Sequence, residues 1–344
     1  MPERESRVSL WVDGQLHEGW TDTAINLNMD HLAGDFTLTL TEEYLAGGVL
    51  QRFPIRAGAA CRLAIDGTTV LTGWVDRRDA GYTATTHSVS ISGRDKTGDL
   101  VDCSAEVKEF LDQKLEAIAA ELCRPFRIQV LVTTDTGEPF KRVAVNTGDT
   151  VQGCIERLCR QRGVLAWSDG QGNLVIGRGT MGRPVASLAR GRNVLAASVT
   201  DNWTGRFSEI IVRGTRETPD SSDASAGSQE QGLARDGQVT RYRPKIMVPE
   251  TQGGTTSLNE RAAHEQRVAK GKSQVVSATV GGWYHEGGLW RPAQTVSFSD
   301  DWLGISGDFL VGNVALVKSG DDDRATLNLY PPGAFDRMAE KEAE

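Results

Sequence analysis

The chain has 344 residues, 39% hydrophobic and 24% charged, an ordinary globular composition with length for two or three domains and a sizeable core. A net charge of -8 speaks against a general nucleic-acid binder, because neutralising phosphates takes a basic face. No run approaches the roughly 18 apolar residues that span a bilayer, and the opening Met1 to Arg7 lacks the apolar core of a signal peptide, so a soluble protein made and used in a cytoplasm is expected.

The first hundred residues read as strands. Val8, Leu10 and Val12 alternate before an Asp13-Gly14 turn, and "FTLTLT" places Phe36, Leu38 and Leu40 on one face with three threonines on the other. "CRLAIDGTTVLTGWVD" gives two strands around Asp66-Gly67, and "HSVSISG" adds another. The period then changes: Val107, Phe110, Leu111, Leu115, Ile118, Ala119 and Leu122 recur at three- and four-residue steps, which predicts an amphipathic helix ended by Pro125. After the strand-like "FRIQVLV", a second helix is expected from about Thr150 to Arg162, with Asp149 as N-cap and Gly163 as stop. "VLAWSDGQGNLVIG" reads as a hairpin.

Strands resume with "NVLAASVTDNW" and "RFSEIIVRG". The serine-, glycine- and acid-rich stretch from Thr218 to Gly232 cannot bury a core and is expected to be a mobile loop. A short helix follows, with Ser257 and Glu260 at capping-box spacing, and then four closing strands. "VLTGWVD", Val70 to Asp76, and "FLVGNVA", Phe309 to Ala315, share an apolar pair, a glycine two residues on and a valine two after that. This echo suggests two similar barrels, one near each end. The fold class expected is mainly β with an α+β insert, two small antiparallel β-barrels flanking an α/β module. Its divisions are 1–103, a first barrel; 104–185, the α/β module; 186–330, a second barrel carrying the mobile loop 218–232; and 331–344, a tail.

Motifs for chemistry fail one by one. Cys61, Cys103, Cys123, Cys154 and Cys159 contain no Cys-x-x-Cys pair, which favours reduced, mostly buried thiols over disulfides or zinc, and the five histidines are scattered. "GRGTMG" spells a dinucleotide fingerprint, but Pro184 follows and no helix begins there. "KGKS" lacks the first glycine of a phosphate loop, "SDGQGN" lacks the downstream glutamate of a calcium loop, and "GDDDR" reads as a solvated turn. No catalytic residue, metal ligand or cofactor is nominated.

Taken in order, "GWTDTAINLNMDHLAGDFTLTLTE", "IRAGAACRLAIDGTTVLTGWVD", "SVSISGRDKTGDLVDCSA", "DTVQGCIERLCRQRGVLAWSDGQGNLVI" and "DDWLGISGDFLVGNVALVKSGDDDRATLNLYPPGAF" resemble the central baseplate hub proteins of contractile-tailed, Mu-like bacteriophages. Late control D proteins and the hub portion of type VI secretion spikes are similar in architecture. The resemblance implies a structural protein of the virion, assembled in the host bacterial cytoplasm and placed in the tail baseplate. It implies a homotrimeric ring whose two tube-like barrels per chain adapt a six-fold tail tube to a three-fold membrane-piercing spike, with tube, spike and baseplate wedge proteins as partners. Neither stable membrane insertion nor specific nucleic-acid binding is expected, and the acidic ring should let DNA pass. No lysozyme-like or LysM domain is recognised, so cell-wall digestion is not expected. "GDTVQGCIERLCRQRG" nevertheless resembles the opening of peptidoglycan-binding LysM modules, which keeps a peptidoglycan-binding or hydrolysing tail component as the alternative.

The stretch from Ser92 to Ala105 joins the first barrel to the insert. Gly93, Arg94, Asp95, Lys96, Gly98, Asp99 and Asp102 are its candidate structural residues. The glycines allow tight turns, Asp102 or Ser104 caps the coming helix, and the charges pair among themselves or across a subunit boundary. Arg94 and Asp99 are the pair whose replacement should loosen the joint.

Overall fold

The computed structural model describes residues 6–29, 31–43, 55–214, 231–248, 258–320 and 322–336. In β1 (Val8–Val12) the alternating apolar residues face inward, and Asp13 (φ 50°) and Gly14 (φ 79°) turn the chain into β2 (Gln15–His17). Two adjacent positive φ values make the tight hairpin turn whose twist matches its strands. β3 (Asp22–Asn28) and β4 (Asp35–Glu43) follow, with Ile25, Leu27, Phe36 and Leu38 buried. β5 (Ala60–Ile65) returns through Asp66 (φ 49°) and Gly67 (φ 83°) into β6 (Thr68–Tyr82), and β7 (Thr86–Asp95) completes the region.

The insert differs from its sequence reading at its start. A five-residue helix, α1 (Gly98–Asp102), lies inside the joint, and residues 109–113 form β8 (Glu109–Gln113) rather than a helix. Asp112 has φ 50°, which a right-handed helix excludes, while Val107 and Leu111 are 63% and 59% exposed. Only the later members of the periodic set, Leu115, Ile118, Ala119 and Leu122, are the buried face of a helix, α2 (Leu115–Cys123), which passes into a 3₁₀ turn containing Pro125. β9 (Gln129–Val132) and β10 (Phe140–Ala144) precede α3 (Val151–Arg162). The α3 cap is Thr150, whose hydroxyl accepts from the Gly153 N–H, and not Asp149. Asp149 is occupied by the Asn146 N–H and by Arg157. Gly163 ends α3 at φ 65° as expected, and β11 (Leu165–Ser168) and β12 (Asn173–Gly177) form the anticipated hairpin. β10 pairs with β8, and β9 lies parallel to β12. Leu100, Phe110, Ile118, Ile155, Leu158 and Ile176 belong to the insert's own core.

The chain continues through β13 (Ala186–Ala189), β14 (Val194–Asp201), β15 (Glu209–Arg213), β16 (Gln231–Arg235) and β17 (Pro244–Met247) to α4 (Leu258–Lys272). Of the expected mobile loop, residues 218–230 lie outside the described residues, while Gln231 and Gly232 begin a strand. Ser257 and residues 337–344 of the tail also lie outside them. β18 (Gln274–Gly281), the short pair β19 (Tyr284–His285) and β20 (Gly288–Leu289), then β21 (Thr295–Asp300), β22 (Ile305–Ser319) and β23 (Asp322–Tyr330) close the sequence of elements.

The architecture is mainly β with an α+β insert. Strands of both ends join one large sheet, ordered β14-β18-β23-β22-β3-β4-β7-β6-β5-β1-β2, with β21 on β22 and β13 on β21. The pairings among the described residues close no barrel; the two ends meet where β22 pairs with β3. One core accordingly takes residues from both, from Leu10, Phe36 and Leu71 to Trp283, Phe298 and Leu327. A smaller cluster of Met29, Leu165 and Leu310, with Trp167, Met181 and Phe335 against it, ties sheet, insert and the C-terminal turn together. Cys61, Cys123, Cys154 and Cys159 are buried and Cys103 is exposed, all five outside any disulfide; burial pushes Cys61 and Cys123 up to about 12, so both stay protonated and inert.

Candidate functional site: the joint between sheet and insert

The joint is built on a close crossing of β6 and β7. A methyl added at Gly73 would stand 1.9 Å from the Arg94 carbonyl oxygen, and one at Gly93 would stand 2.1 Å from that of Trp74 and 2.9 Å from the Phe36 ring. Only glycine lets the two backbones approach so closely. The Lys96 N–H donates to the Thr72 carbonyl, and the Thr72 N–H to the Gly170 carbonyl, so the hairpin turn of the insert is stitched to β6.

Asp95 sits at the centre of this crossing, 1% exposed. It accepts from the Gly34 N–H at 2.8 Å, from the Thr97 N–H at 2.8 Å, from the Thr97 hydroxyl, and from Ser168. The Leu32 carbonyl lies 2.8 Å from the same Thr97 hydroxyl, so it and Asp95 compete for that single proton. One carboxyl therefore gathers the end of β7, the β3–β4 turn, the start of α1 and the end of β11. Burial pushes its pKa above the ordinary aspartate range, and the donors around it offset only part of that. Beside it a cavity of about 300 Å³ is lined by Asn28, Trp167, Gln171 and Arg291, among others.

Arg94, the preceding residue, points outward and is 37% exposed. Its guanidinium donates to Asp76 at 2.9 Å and to Asp102 at 2.6 Å, bridging β6 and α1. Arg94 holds the Asp102 carboxyl below its usual range. Asp102 is thus taken by Arg94 rather than by a helix cap, and Ser104 forms a bridge with Thr150 instead of capping a helix. The Gly98 Cα hydrogen side lies against the Arg94 side chain. Neither Lys96 nor Asp99 forms an ion pair within the chain among the described residues, which leaves pairing across a subunit boundary as the remaining alternative for these two.

The sequence reading missed Asp76, Thr97, Gly34 and Ser168. Asp76 belongs to the quoted "VLTGWVD", but its meeting with Arg94 depends on the β6–β7 register, in which Trp74 faces Arg94 and Asp76 stands at the irregularity between Val75 and Arg77. The discarded motifs have ordinary structural places. Asp169 accepts from Gln171 and Asn173 within the hairpin turn, and Lys270 and Lys272 stand in the last turn of α4, the wrong end of a helix for a phosphate. Among the described residues no group of three or more His, Cys, Asp or Glu is arranged to hold a metal ion.

Two family descriptions divide at this joint. Residues 7–95 match the N-terminal domain of the Mu phage baseplate assembly protein GpP-like family, and residues 97–178 match the second domain of baseplate hub protein gp44-like proteins. Baseplate hub protein gp44 of Escherichia phage Mu is 31% identical over 95% of this chain and 88% of its own length. The chain belongs to the Mu-like baseplate hub family. The crystal structure of the 43 kDa tail protein of prophage MuSo2 from Shewanella oneidensis matches the hub chain with 34% identity and a TM-score of 0.84, over 96% of this chain and all of that one. A tail protein from Neisseria meningitidis shares the fold at 24% identity, with a TM-score of 0.82 over 98% and 99% of the two chains.

Proposed function

We propose that the hub chain is a structural adaptor of the tail baseplate: a homotrimeric ring between the tail tube and the trimeric spike, assembled in the host cytoplasm and joined by baseplate wedge proteins. The observation that carries this reading is a repeated strand pattern. β3-β4-β7-β6-β5 and β14-β18-β23-β22-β21 have the same chain order and the same antiparallel neighbours. Two like units per chain let three chains offer six similar docking surfaces to a tube while remaining three-fold for a spike. The repeat also supports domain limits of 1–103, 104–185, 186–330 and 331–344, with the joint at Gly93 to Asp102 acting as a fastening rather than a catalytic site.

The activity expected is load transfer and symmetry matching, without chemistry. The Gly148-Asp149-Thr150 turn that resembles a glycan-binding module caps α3, whose apolar side is buried in the insert core, which favours the helix-capping role. The net charge of -8 fits a bore that DNA traverses without being held. Light scattering of the purified chain should give three chain masses, and coexpression with the spike protein of the same tail should give three chain masses plus that of the bound spike trimer. A chain that stays monomeric in both conditions overturns the ring, and clear lysis in a cell-wall zymogram overturns the non-enzymatic reading.

A further inference from the structure

A cleft of about 920 Å³ opens where the end of β14, the 3₁₀ turn Trp203–Gly205, the last turn of α4, the start of β18 and the residues after β23 converge. It shares no residue with the joint and has no part in the adaptor reading. Its size lies within the roughly 300–1,000 Å³ of clefts that hold ligands. One wall is held rigidly. Arg206 is 4% exposed, and its guanidinium donates twice to Asp236, at 2.6 and 2.9 Å, and to the Gln238 amide oxygen at 2.6 Å. The same guanidinium stacks 4.2 Å from the centre of the Trp203 ring, which fixes the tilt of an indole that remains 42% exposed. The turn carrying Trp203 is pinned as well: the Asn202 side chain accepts from the Thr204 N–H, and the Asn202 N–H donates to the Ser273 carbonyl.

The charges around the cleft cancel. Arg206 is matched by Asp236, Arg267 lies 4.0 Å from Asp336, and Lys270 and Asp201 add one charge of each sign. The two amides are oriented by the bonds they already make. Gln238 commits its oxygen to Arg206, so its N–H groups remain to donate; Gln274 commits an N–H to Asp201, so its oxygen remains to accept. Pro331 and Pro332 add apolar surface. A phosphate or nucleotide needs uncompensated cations, which this lining does not supply. A wholly apolar ligand would strand the amides. A pyranose ring meets both conditions, because one side is a C–H face that stacks on an aromatic ring and its rim carries hydroxyls that each donate and accept.

We infer that this cleft binds a neutral glycan, a short run of hexose or N-acetylhexosamine units, with Trp203 as the stacking platform and Gln238, Gln274 and Lys270 as the groups that meet its hydroxyls. The site is separate from the Gly148-Asp149-Thr150 turn, which caps α3. No bond is made or broken in it; it gives a non-catalytic hub a point of attachment to sugar. A bacterial envelope presents such chains from two sources, the glycan strands of the cell wall and the polysaccharide of the outer surface.

Saturation-transfer NMR on the full chain tests the site, with chitohexaose as the cell-wall probe and delipidated O-polysaccharide of the host bacterium as the surface probe. At least one should bind saturably, and which one does identifies the source. Trp203→Ala should weaken binding about tenfold or more, whereas Trp203→Phe, which keeps a ring, should stay within about threefold of the parent. Lys270→Ala replaces an exposed residue at the end of α4 and should weaken binding about threefold, the worth of one hydrogen bond, with the unfolding midpoint unchanged. Should Trp203→Ala fail to fold, the Phe and Lys270 variants carry the test. Failure of both probes to saturate, affinity unchanged by the Trp203→Ala and Lys270→Ala substitutions, or displacement of the sugar by inorganic phosphate overturns the glycan site; none of these outcomes bears on the ring.

Discussion

Arg94 and Asp95 are adjacent in sequence and opposite in environment. Arg94 lies on the outer side of the joint, 37% exposed, with two carboxylates that solvent also reaches. Asp95 lies on the inner side, 1% exposed, and its partners are backbone and hydroxyl donors from three other segments. The charged, visible contact is the replaceable one. Exposed ion pairs contribute about 0–1 kcal/mol each, because water serves both partners almost as well. A buried acceptor is different: removing it strands donors that water cannot reach, at about 1–3 kcal/mol for each group left unsatisfied.

Substitutions should therefore rank by burial. The largest effect is expected from Gly93→Ala, which touches the backbone crossing on which both residues depend. Its methyl would meet the Trp74 carbonyl at 2.1 Å, and a loss of about 3 kcal/mol or more is expected in denaturant unfolding, at or above the usual cost of overpacking. Asp95→Ala should cost about 2–4 kcal/mol, since the Gly34 and Thr97 N–H groups lose their acceptor. A loss below 1 kcal/mol would remove Asp95 from the centre of the joint. Arg94→Ala should cost about 1 kcal/mol, and adding Asp76→Ala to it should change little further, because the contact is already gone. Asp99→Ala should stay within about 0.5 kcal/mol, as a substitution away from any specific contact does.

The same contrast has a pH signature of opposite sign on the two sides. Asp102 is depressed in the folded chain by Arg94, so its contribution is present above the unfolded aspartate value and lost as pH falls through the lower folded one. Asp95 is raised by burial, so its contribution is fully present below the unfolded aspartate value and lost as pH rises through the higher folded one. Unfolding midpoints of wild type and Asp95→Asn, followed from pH 4 upward, should converge or cross in that upper window. Parallel curves would show that Asp95 carries no raised pKa.

How much of this was legible in the sequence depended on distance along the chain. Period-two alternation and the two Asp-Gly turns are local, and they gave β1, β4, β5 and β6 directly. Gly163 and the α3 face were equally local. Three- and four-residue spacing misled at Val107 and Leu111, both exposed, because residues 109–113 pair as a strand with β10, which a periodicity cannot express. The joint could be found, since its charges and glycines are crowded into fourteen residues, and the Arg94–Asp102 contact joins residues only eight apart. Its hierarchy could not. Nothing near Asp95 marks it as the buried member of a group that includes Arg94, Lys96, Asp99 and Asp102, because the burial is imposed by Gly34 and Ser168 from other elements. The echo of two seven-residue stretches was a weak sign that proved to lie on equivalent strands, β6 and β22.

The junction of β22 with β3 also sets an order of events during synthesis. β3 (Asp22–Asn28) is made long before β22 (Ile305–Ser319), so the N-terminal unit waits through the synthesis of all that lies between them with an unsatisfied strand edge. Non-local pairing of this kind is slow and exposes sticky surface while it is pending. A nascent or truncated chain that ends before Ile305 is therefore an aggregation hazard rather than a smaller hub, because it lacks the strand that quiets β3.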